Sequence, residues 1–234
     1  SGGDARKLLN IFELIINAFD SDTIEITDEA VLQKVQNNTV HYDKTGEQHY
    51  DIISAFIKSI RGSDPNGAVY WLARMIEGGE DVKFIARRLL ISASEDIGNA
   101  NPTALVIANN TFQAVSTIGY PESRIILSQC ATYLACSPKS NASYKAIGNA
   151  QQLVKETGDL SVPLEIRNAP TKLMKELGYG DNYKYAHNYE DNFAIQEFLP
   201  DDIKNTKFYN PGNNARENAH REFLKQRWKD KYNY

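Results

Sequence analysis

Residues 104–118 read ALVIANNTFQAVSTI, and residues 122–136 read ESRIILSQCATYLAC. Between Pro102 and Ser137 only Glu122 and Arg124 are charged, and apolar or small side chains lie on nearly all sides of both segments. Helices of this kind are buried on more than one side. The two segments therefore predict the centre of an all-α structure.

Proline and glycine divide the neighbouring sequence into further helices, because Pro is favoured at the first helical position and Gly just past the last. The expected starts are Asp64-Pro65, Asp81, Asn101-Pro102, Pro121 and Ser137-Pro138. Apolar residues recur at helical spacing before and between them, as in Ile52, Ile53, Phe56, Ile57 and Ile60. We predict one array of antiparallel helices over residues 46–158, joined by short turns.

The two ends of the chain differ from this array. Residues 4–19 predict a helix with an inward apolar face made of Leu8, Leu9, Phe12, Ile15 and Ile16. From residue 162 the chain is rich in Asn and Tyr and broken by prolines, so we expect an irregular tail that lies against the array and ends in a charged helix over residues 215–231. The predicted divisions are residues 1–45, 46–160 and 161–234.

Composition limits the classes of function. The chain has 234 residues and a net charge of −4, which argues against a surface that is basic throughout and built for nucleic acid. No apolar run approaches the roughly 20 residues of a membrane span, and no signal-peptide pattern opens the chain. The two cysteines, six residues apart on one helix, do not face each other, and their scarcity suggests a reducing compartment. The start Ser1-Gly2-Gly3-Asp4 lacks Met, so we expect a piece of a longer protein.

Common enzyme motifs are missing. The sequence has no phosphate-binding G-x-x-x-x-G-K-[ST] loop, no H-E-x-x-H and no C-x-x-C. The four histidines stand in polar surroundings without ligand spacing, so we expect them to face solvent and expect no metal site. Ser92, Ser94 and Glu95 could be drawn as a nucleophile and a base, but a helix C-terminus explains them better.

One short motif could contact phosphate. Gly3, Asp4, Ala5 and Arg6 begin the first helix, where Asp4 can cap the backbone N–H groups. Arg6 then lies in the first turn, where a helix favours anions and where a guanidinium can bind phosphate. The alternative is an ordinary surface arginine near a helix start.

Longer strings carry a family resemblance. GDARKLLNIFE resembles the sensor-2 helix in the lid of AAA+ ATPases of the clamp-loader type. Residues 49–102, from HYDIISAFIKSIRG to EDIGNANP, resemble the C-terminal half of the RarA/MgsA family, whose eukaryotic relatives include the Werner helicase-interacting protein. VPLEIRNAPTKLMKELGYGDNYKYAHNY and FLPDDIKNTKFYNP resemble the tail of the same family. The resemblance covers essentially the whole chain.

The resemblance implies a C-terminal half of a replication-associated AAA+ ATPase that acts at stalled forks. The chain would be the end of a helical lid, a helical tetramerisation domain and an irregular tail. Arg6 would be the sensor-2 arginine that contacts ATP, with Gly3, Asp4 and Ala5 beside it. ATP and Mg would belong to the full-length protein, with none bound to this chain.

The resemblance also implies partners and a location. These are a homotetramer, DNA forks or single-strand/double-strand junctions, and single-strand-binding or other replisome proteins, with no membrane and a cytoplasmic, nucleoid-associated location. Two alternatives are a non-enzymatic helical adaptor that binds replication proteins or DNA, and a DNA-binding module using the basic stretch of residues 204–231.

The helices at 102–118 and 121–136 also predict self-association. Small side chains recur there, at Ala104, Ala108, Ala114, Ala131 and Ala135, and would let helices of neighbouring subunits approach closely. The alternative is that both helices form the centre of a monomeric core. Tyr70, Trp71 and Met75 are expected in the core or a subunit interface rather than in a base-stacking platform.

Overall fold

The computed structural model describes residues 9, 12–13, 16, 27–28 and 47–234. The described residues form no strand, which confirms the all-α prediction. The α-helices from residue 47 onward are α1 (Glu47–Arg61), α2 (Pro65–Glu77), α3 (Val82–Ser92), α4 (Thr103–Ile118), α5 (Ser123–Ala135), α6 (Ala142–Thr157), α7 (Lys172–Glu176) and α8 (Ala215–Trp228). A π-helical turn (Ala93–Ile97) and a 3-10 turn (Gly98–Ala100) connect α3 to α4.

Side-chain caps explain two of the predicted helix starts. The Asp64 carboxylate accepts hydrogen bonds from the N–H groups of Asn66 and Gly67, both at 3.0 Å, and Pro65 occupies the first helical position. Asp81 accepts from the N–H of Lys83 at 3.0 Å and starts α3 in the same way. An aspartate in this position satisfies donors that the helix itself leaves unpaired.

The start predicted at Ser137-Pro138 is wrong, since α6 begins at Ala142. The intervening loop instead terminates α5. The Lys139 ammonium donates to the carbonyl oxygens of Leu134, Ala135 and Ser137, at 3.1, 2.9 and 2.6 Å. These carbonyls are acceptors left over at a helix C-terminus, where a cation is also favoured by the helix dipole.

The core lies among α1 to α5. Its fully buried large side chains include Phe56, Ile60, Leu72, Met75, Ile85, Leu89, Leu127 and Leu134. Helix α4 packs against α3 and α5, and α5 packs against α2. Ala104, Ala108, Ala131 and Ala135 are each 0% exposed, and Ala114 is half-buried. The small residues predicted to meet a neighbouring subunit therefore lie mostly inside the protomer, where they allow its own helices to approach.

The inward face predicted for the first helix is not found at its described positions. Leu9, Phe12 and Ile16 are helical but 65%, 49% and 37% exposed, so these three side chains do not form a buried face with the other described residues. Leu8 and Ile15 lie outside the described residues.

The tail is irregular, as predicted, and is held by few buried groups. Of residues 158–234, which the structure describes throughout, only Pro211 and Glu217 are buried. Short 3-10 turns and α7 interrupt the segment before α8. A segment that buries so little surface depends on specific contacts to stay in place.

Glu217 supplies several of these contacts. Its side chain is 0% exposed and accepts hydrogen bonds from the Tyr209 hydroxyl at 3.1 Å and the Asn214 amide at 2.6 Å. The Ser140 hydroxyl and the Gly212 N–H bind the same carboxylate. Because Ser140 lies in the loop before α6, this carboxylate joins the tail to the helical array.

We predict that Glu217→Ala loosens the tail. The substitution removes the acceptor of Tyr209 and Asn214, which should lower the free energy of unfolding by about 1–3 kcal/mol. Urea denaturation measures the loss, and limited proteolysis should cut within residues 159–214 faster. The control is Glu222→Ala, an exposed position on the same helix, which should change stability by less than about 0.5 kcal/mol. Equal effects of the two variants would contradict the assignment.

We also predict that acid weakens tail docking. Burial raises the pKa of Glu217, but the hydrogen bonds from Ser140, Asn214, Gly212 and Tyr209 together lower it below the ordinary value of 4.5. A group with a lowered pKa in the folded state contributes stability above its ordinary pKa, and this contribution is lost as the pH falls through the lowered value. Tail proteolysis should therefore accelerate below about pH 4.5, and Glu217→Gln should be less sensitive to pH over that range. An identical acid response in Glu217→Gln would assign the effect to other carboxylates.

Candidate self-association surface

An apolar groove of about 910 Å³ opens between the end of α3, the outer side of α4 and the first turns of α6. Its aliphatic and aromatic lining is strongly exposed, at 57% for Val106, Tyr144 and Ile147, 49% for Ile91 and 45% for Leu105. Among the described residues Glu95 is the one charged member of the lining, which also includes Leu90, Ser94, Asn109 and Ser143. A concave surface with so much exposed apolar area is typical of an interaction site.

Helix α4 presents its two sides very differently. Ala104, Ala108, Thr111 and Val115 are buried on the inner side, while Leu105, Val106 and Ile118 are exposed on the outer side. Within one copy of the chain α4 is therefore buried on one side only, contrary to the prediction. Helix α5 is buried over a wider arc than α4, through Ser123, Leu127, Cys130, Ala131, Leu134 and Ala135, but Ile125 on its other side is 58% exposed.

Helix α6 buries little of its surface against the rest of the described residues. Only Ala142 among its 16 residues is buried, and its main contacts are with the π-helical turn and the 3-10 turn at its start. Tyr144, Ile147 and Val154 are 57%, 57% and 62% exposed. At Gly148, in the middle of the helix, a Cβ atom would meet no other atom within 4 Å.

A buried polar cluster fixes the end of the groove. The Asp96 carboxylate accepts from the Ser92 hydroxyl at 2.8 Å and from the Nε of Arg61, and the Asp96 carbonyl accepts from the N–H of Ser140 at 2.8 Å. Arg61 also pairs with Glu95 at 3.2 Å. The hydrogen bond to Asp96, reinforced by the charges of Asp96 and Glu95, outweighs burial and raises the pKa of Arg61.

This cluster also decides between the two interpretations of Ser92, Ser94 and Glu95. Helix α3 ends at Ser92, and the Ser92 hydroxyl donates to Asp96 inside the protein. Ser94 and Glu95 line the groove. Ser92 thus ends α3, as the interpretation as a helix C-terminus expects, and its hydroxyl is bonded to Asp96 rather than to Glu95.

The aromatic residues of α2 divide between core and surface. Met75 is 1% exposed and belongs to the core, as expected, and Trp71 packs against it while half-buried. The Arg74 guanidinium lies 5.5 Å from the centre of the Trp71 ring, and Tyr70 is 58% exposed. Met75 and Trp71 thus follow the prediction of a core position, and the expectation of a subunit interface for the exposed Tyr70 stays a prediction.

One histidine departs from the sequence prediction. His49 is only 9% exposed, and its Nδ1 lies 2.9 Å from a carboxylate oxygen of Glu80. The local sequence, Gln48 and the polar stretch before it, does not predict the burial of His49. The reason is that its partner, Glu80, comes from the turn between α2 and α3. His187 and His220 have more exposed positions, and His41 lies outside the described residues.

The described residues offer little support for a metal site, a reactive cysteine pair or a membrane span. Across the described residues no three His, Cys, Asp or Glu side chains group as a metal site would require. Both cysteines are free; burial raises the pKa of Cys130 to about 11, while Cys136 is exposed. No described helix is long and apolar enough to cross a membrane. Gly3, Asp4, Ala5 and Arg6 lie outside the described residues, so their assignment to ATP remains a prediction.

Comparison with known proteins places this chain in a family. The family described as "MgsA AAA+ ATPase C terminal" matches residues 62–228, and the family described as "AAA C-terminal domain" matches residues 1–61.

Named relatives agree with this match. "Replication-associated recombination protein A" of Coxiella burnetii is 44% identical over 218 residues, which cover 92% of this chain and 50% of the relative. The protein of the same name from Escherichia coli K12 is 41% identical over 219 residues, covering 92% and 49%. "ATPase WRNIP1" of Dictyostelium discoideum is 38% identical over 226 residues, covering 88% and 26%. The chain spans about half the length of these bacterial relatives, and it belongs to the MgsA (replication-associated recombination protein A) family of AAA+ ATPases.

Proposed function

We propose that the chain is the lid end and the self-association region of a DNA-dependent AAA+ ATPase that acts at stalled replication forks. The observation that carries the self-association is the exposed apolar groove between α3, α4 and α6. The names of the relatives support the link to replication and recombination. ATP and Mg belong in this proposal to the whole protein.

The energetic argument for self-association rests on α6 and α4. A 16-residue helix with one buried residue gains little from packing, and isolated helices of about this length are marginal in water. The exposed side of α4 adds aliphatic surface that contains no charged residue. Covering both with another copy would stabilise the helix and remove the exposed apolar area. Closed symmetry is the usual form of such assemblies, and the family resemblance makes the number four.

The direct test is the mass of this chain in solution. Sedimentation equilibrium should give a tetramer at micromolar concentration. A monomer at high micromolar concentration would end the proposal of self-association.

A DNA contact in this half of the protein has weaker support. Residues 200–234 carry eight basic and five acidic side chains, which is a modest excess. Lys231 is already paired with Glu197 at 2.9 Å, and its ammonium lies over the Trp228 ring. We therefore assign DNA binding, and contacts with single-strand-binding or other replisome proteins, to the full-length protein.

We predict that Val106→Glu gives a folded species of lower mass. Val106 is 57% exposed in the groove, so a carboxylate there is tolerated in the single copy but would be desolvated in the assembly. Sedimentation measures the mass and circular dichroism the helix content. The matched control is Val69→Glu, an exposed valine on α2 outside the groove, which should keep the parent mass.

Ala131→Arg should behave differently from Val106→Glu. Because Ala131 is fully buried inside the protomer, the substitution places an unpaired charge in the core and should unfold the chain. A folded, dissociated Ala131→Arg variant would contradict the placement of α5 in the core.

We predict that the isolated chain does not hydrolyse ATP, with or without DNA. The sequence contains no glycine-rich phosphate loop, and positioning of the transferred phosphoryl group depends on such elements. A malachite-green assay of released phosphate is the measurement. Steady, Mg-dependent release from a pure preparation would overturn the prediction.

We predict that Arg6→Ala in the full-length protein lowers ATP turnover strongly and leaves the assembly intact. The proposed phosphate contact is at residue 6, whereas the groove is built from residues beyond 89. Turnover and sedimentation should be measured on the same sample, with Lys7→Ala as a neighbouring control. Turnover at the parent rate would remove Arg6 from the site.

A further inference from the structure

A basic cavity of about 370 Å³ lies in the tail, between its irregular part and the end of α8. Three of its lining residues are cations: Lys184 from the irregular part, and Arg227 and Lys229 from the end of the helix. Tyr189 and Phe193 contribute aromatic rings. None of the described residues that line it is acidic, although the chain as a whole has a net charge of −4. We call this space the tail cavity.

The walls of the tail cavity are held in place by hydrogen bonds and ring packing. The Lys184 N–H donates to the side-chain oxygen of Gln196 at 2.9 Å, and the Lys184 ammonium donates to the Ile195 carbonyl at 3.1 Å. The Phe193 ring meets the Trp228 ring edge-on, with the ring centres 5.2 Å apart. The irregular segment is therefore fastened both to itself and to α8, and the cavity is a built feature of the folded tail.

The three cations of the tail cavity have no counter-charge among the described residues. Lys231, also close to the end of α8, is paired with Glu197 at 2.9 Å. In contrast, no carboxylate of the described residues forms an ion pair with Lys184, Arg227 or Lys229. Lys184 and Arg227 each donate one hydrogen bond to a backbone carbonyl, which leaves further donors on both groups. Like charges that line one cavity without compensation favour an anion there.

Lys229 occupies a position where the backbone itself favours glycine. It follows α8 with a φ of 46°, in the left-handed region, and its N–H donates to the Lys225 carbonyl at 2.9 Å. Glycine adopts a positive φ without strain and is the usual residue just past a helix. A lysine here costs backbone energy and places a cation at the tail cavity. The helix dipole also favours cations at Arg227 and Lys229, but it does not account for Lys184, which comes from another segment.

We propose that the tail cavity binds one nucleoside phosphate. The phosphate is held by Lys184, Arg227 and Lys229, since charge-assisted hydrogen bonds from Arg and Lys are typical phosphate contacts. The base lies against Tyr189 and Phe193; Tyr189 is 45% exposed and offers ring surface for stacking. A volume of about 370 Å³ is within the range of small-ligand sites. An inorganic anion would use the cations alone, so the rings favour a nucleotide.

A free nucleotide and one nucleotide of a single strand present this same chemistry. Tyr183 and Tyr185, on either side of Lys184 in the sequence, are 49% and 53% exposed and do not line the tail cavity. Bases next to the bound nucleotide would find stacking surface there, whereas a free nucleotide would not reach it. The two sources are therefore separated by comparing a mononucleotide with an oligonucleotide.

Binding is tested on this chain at low salt with two probes, thymidine monophosphate and a fluorescein-labelled single-stranded oligothymidylate. Calorimetry and fluorescence anisotropy measure the affinities. Lys184→Ala and Lys229→Gly should each lower the affinity about tenfold, as expected for loss of a charged hydrogen-bond donor. Because Lys229→Gly also suits the backbone, its thermal stability should not fall, so lost binding is not lost folding. The matched control is Lys225→Ala, an exposed cation of α8 outside the cavity, which should keep the parent affinity.

A second pair of variants tests the aromatic part of the site. Tyr189→Leu should weaken the binding of thymidine monophosphate and leave that of inorganic phosphate unchanged, because it removes stacking surface and no charge. The control is Tyr185→Leu, an equally exposed tyrosine outside the cavity, which should keep the affinity for thymidine monophosphate.

The outcomes decide the site and its ligand separately. If Lys229→Gly weakens binding, tighter binding of the oligothymidylate assigns the site to a single strand, and equal affinities assign it to a free nucleotide. No binding of either probe, or the same affinity in the parent and in Lys229→Gly, overturns the site. Inorganic phosphate that binds as tightly as thymidine monophosphate overturns the nucleotide assignment. An acidic peptide that binds through Lys229 where neither probe binds overturns it as well.

Discussion

The structure depends on a chain of buried polar contacts that starts at Asp96. Its carboxylate binds Arg61 of α1 and Ser92 of α3, and its carbonyl accepts from the backbone of Ser140 in the loop before α6. The Ser140 hydroxyl in turn hydrogen-bonds to the Glu217 carboxylate of α8. Buried carboxylates are costly unless they are fully hydrogen-bonded, so this chain of contacts has one favourable arrangement. It fixes where α3 ends, where α6 starts and where the tail returns.

Local rules predicted much of the fold. Asp64 and Asp81 start helices because each is followed by free backbone donors, which is a property of a few consecutive residues. The same rules failed at Ser137-Pro138. There the ammonium of Lys139, two residues after Ser137, hydrogen-bonds to a carbonyl oxygen at the end of α5, and the helix terminates. The burial of His49 depends on Glu80, 31 positions away, and no local pattern contains that information.

The sequence predicted that apolar surface would remain outside the core, but it did not predict which residues form that surface. The lack of charge on α4 correctly indicated apolar area beyond the needs of one core. The positions of the alanines did not indicate which side of each helix faces the core. In the structure Ala104, Ala108 and Ala131 are buried, whereas Leu105 and Val106 are exposed. The part that α6 takes in this surface was not predicted, because its Asn, Gln and Ser residues are typical of an ordinary surface helix. The assignment of Gly3, Asp4, Ala5 and Arg6 to ATP remains a prediction.

The contrast between the two cysteines has a practical consequence. With a pKa of about 11, the Cys130 thiol is ionised in about one molecule in ten thousand at neutral pH, and it is also shielded from reagents. Cys136 is exposed, at the end of α5 and six residues before α6 begins. A maleimide dye should therefore attach at Cys136 alone, giving one fluorophore per chain. Energy transfer between differently labelled chains would then report subunit exchange in real time, without any substitution in the protein.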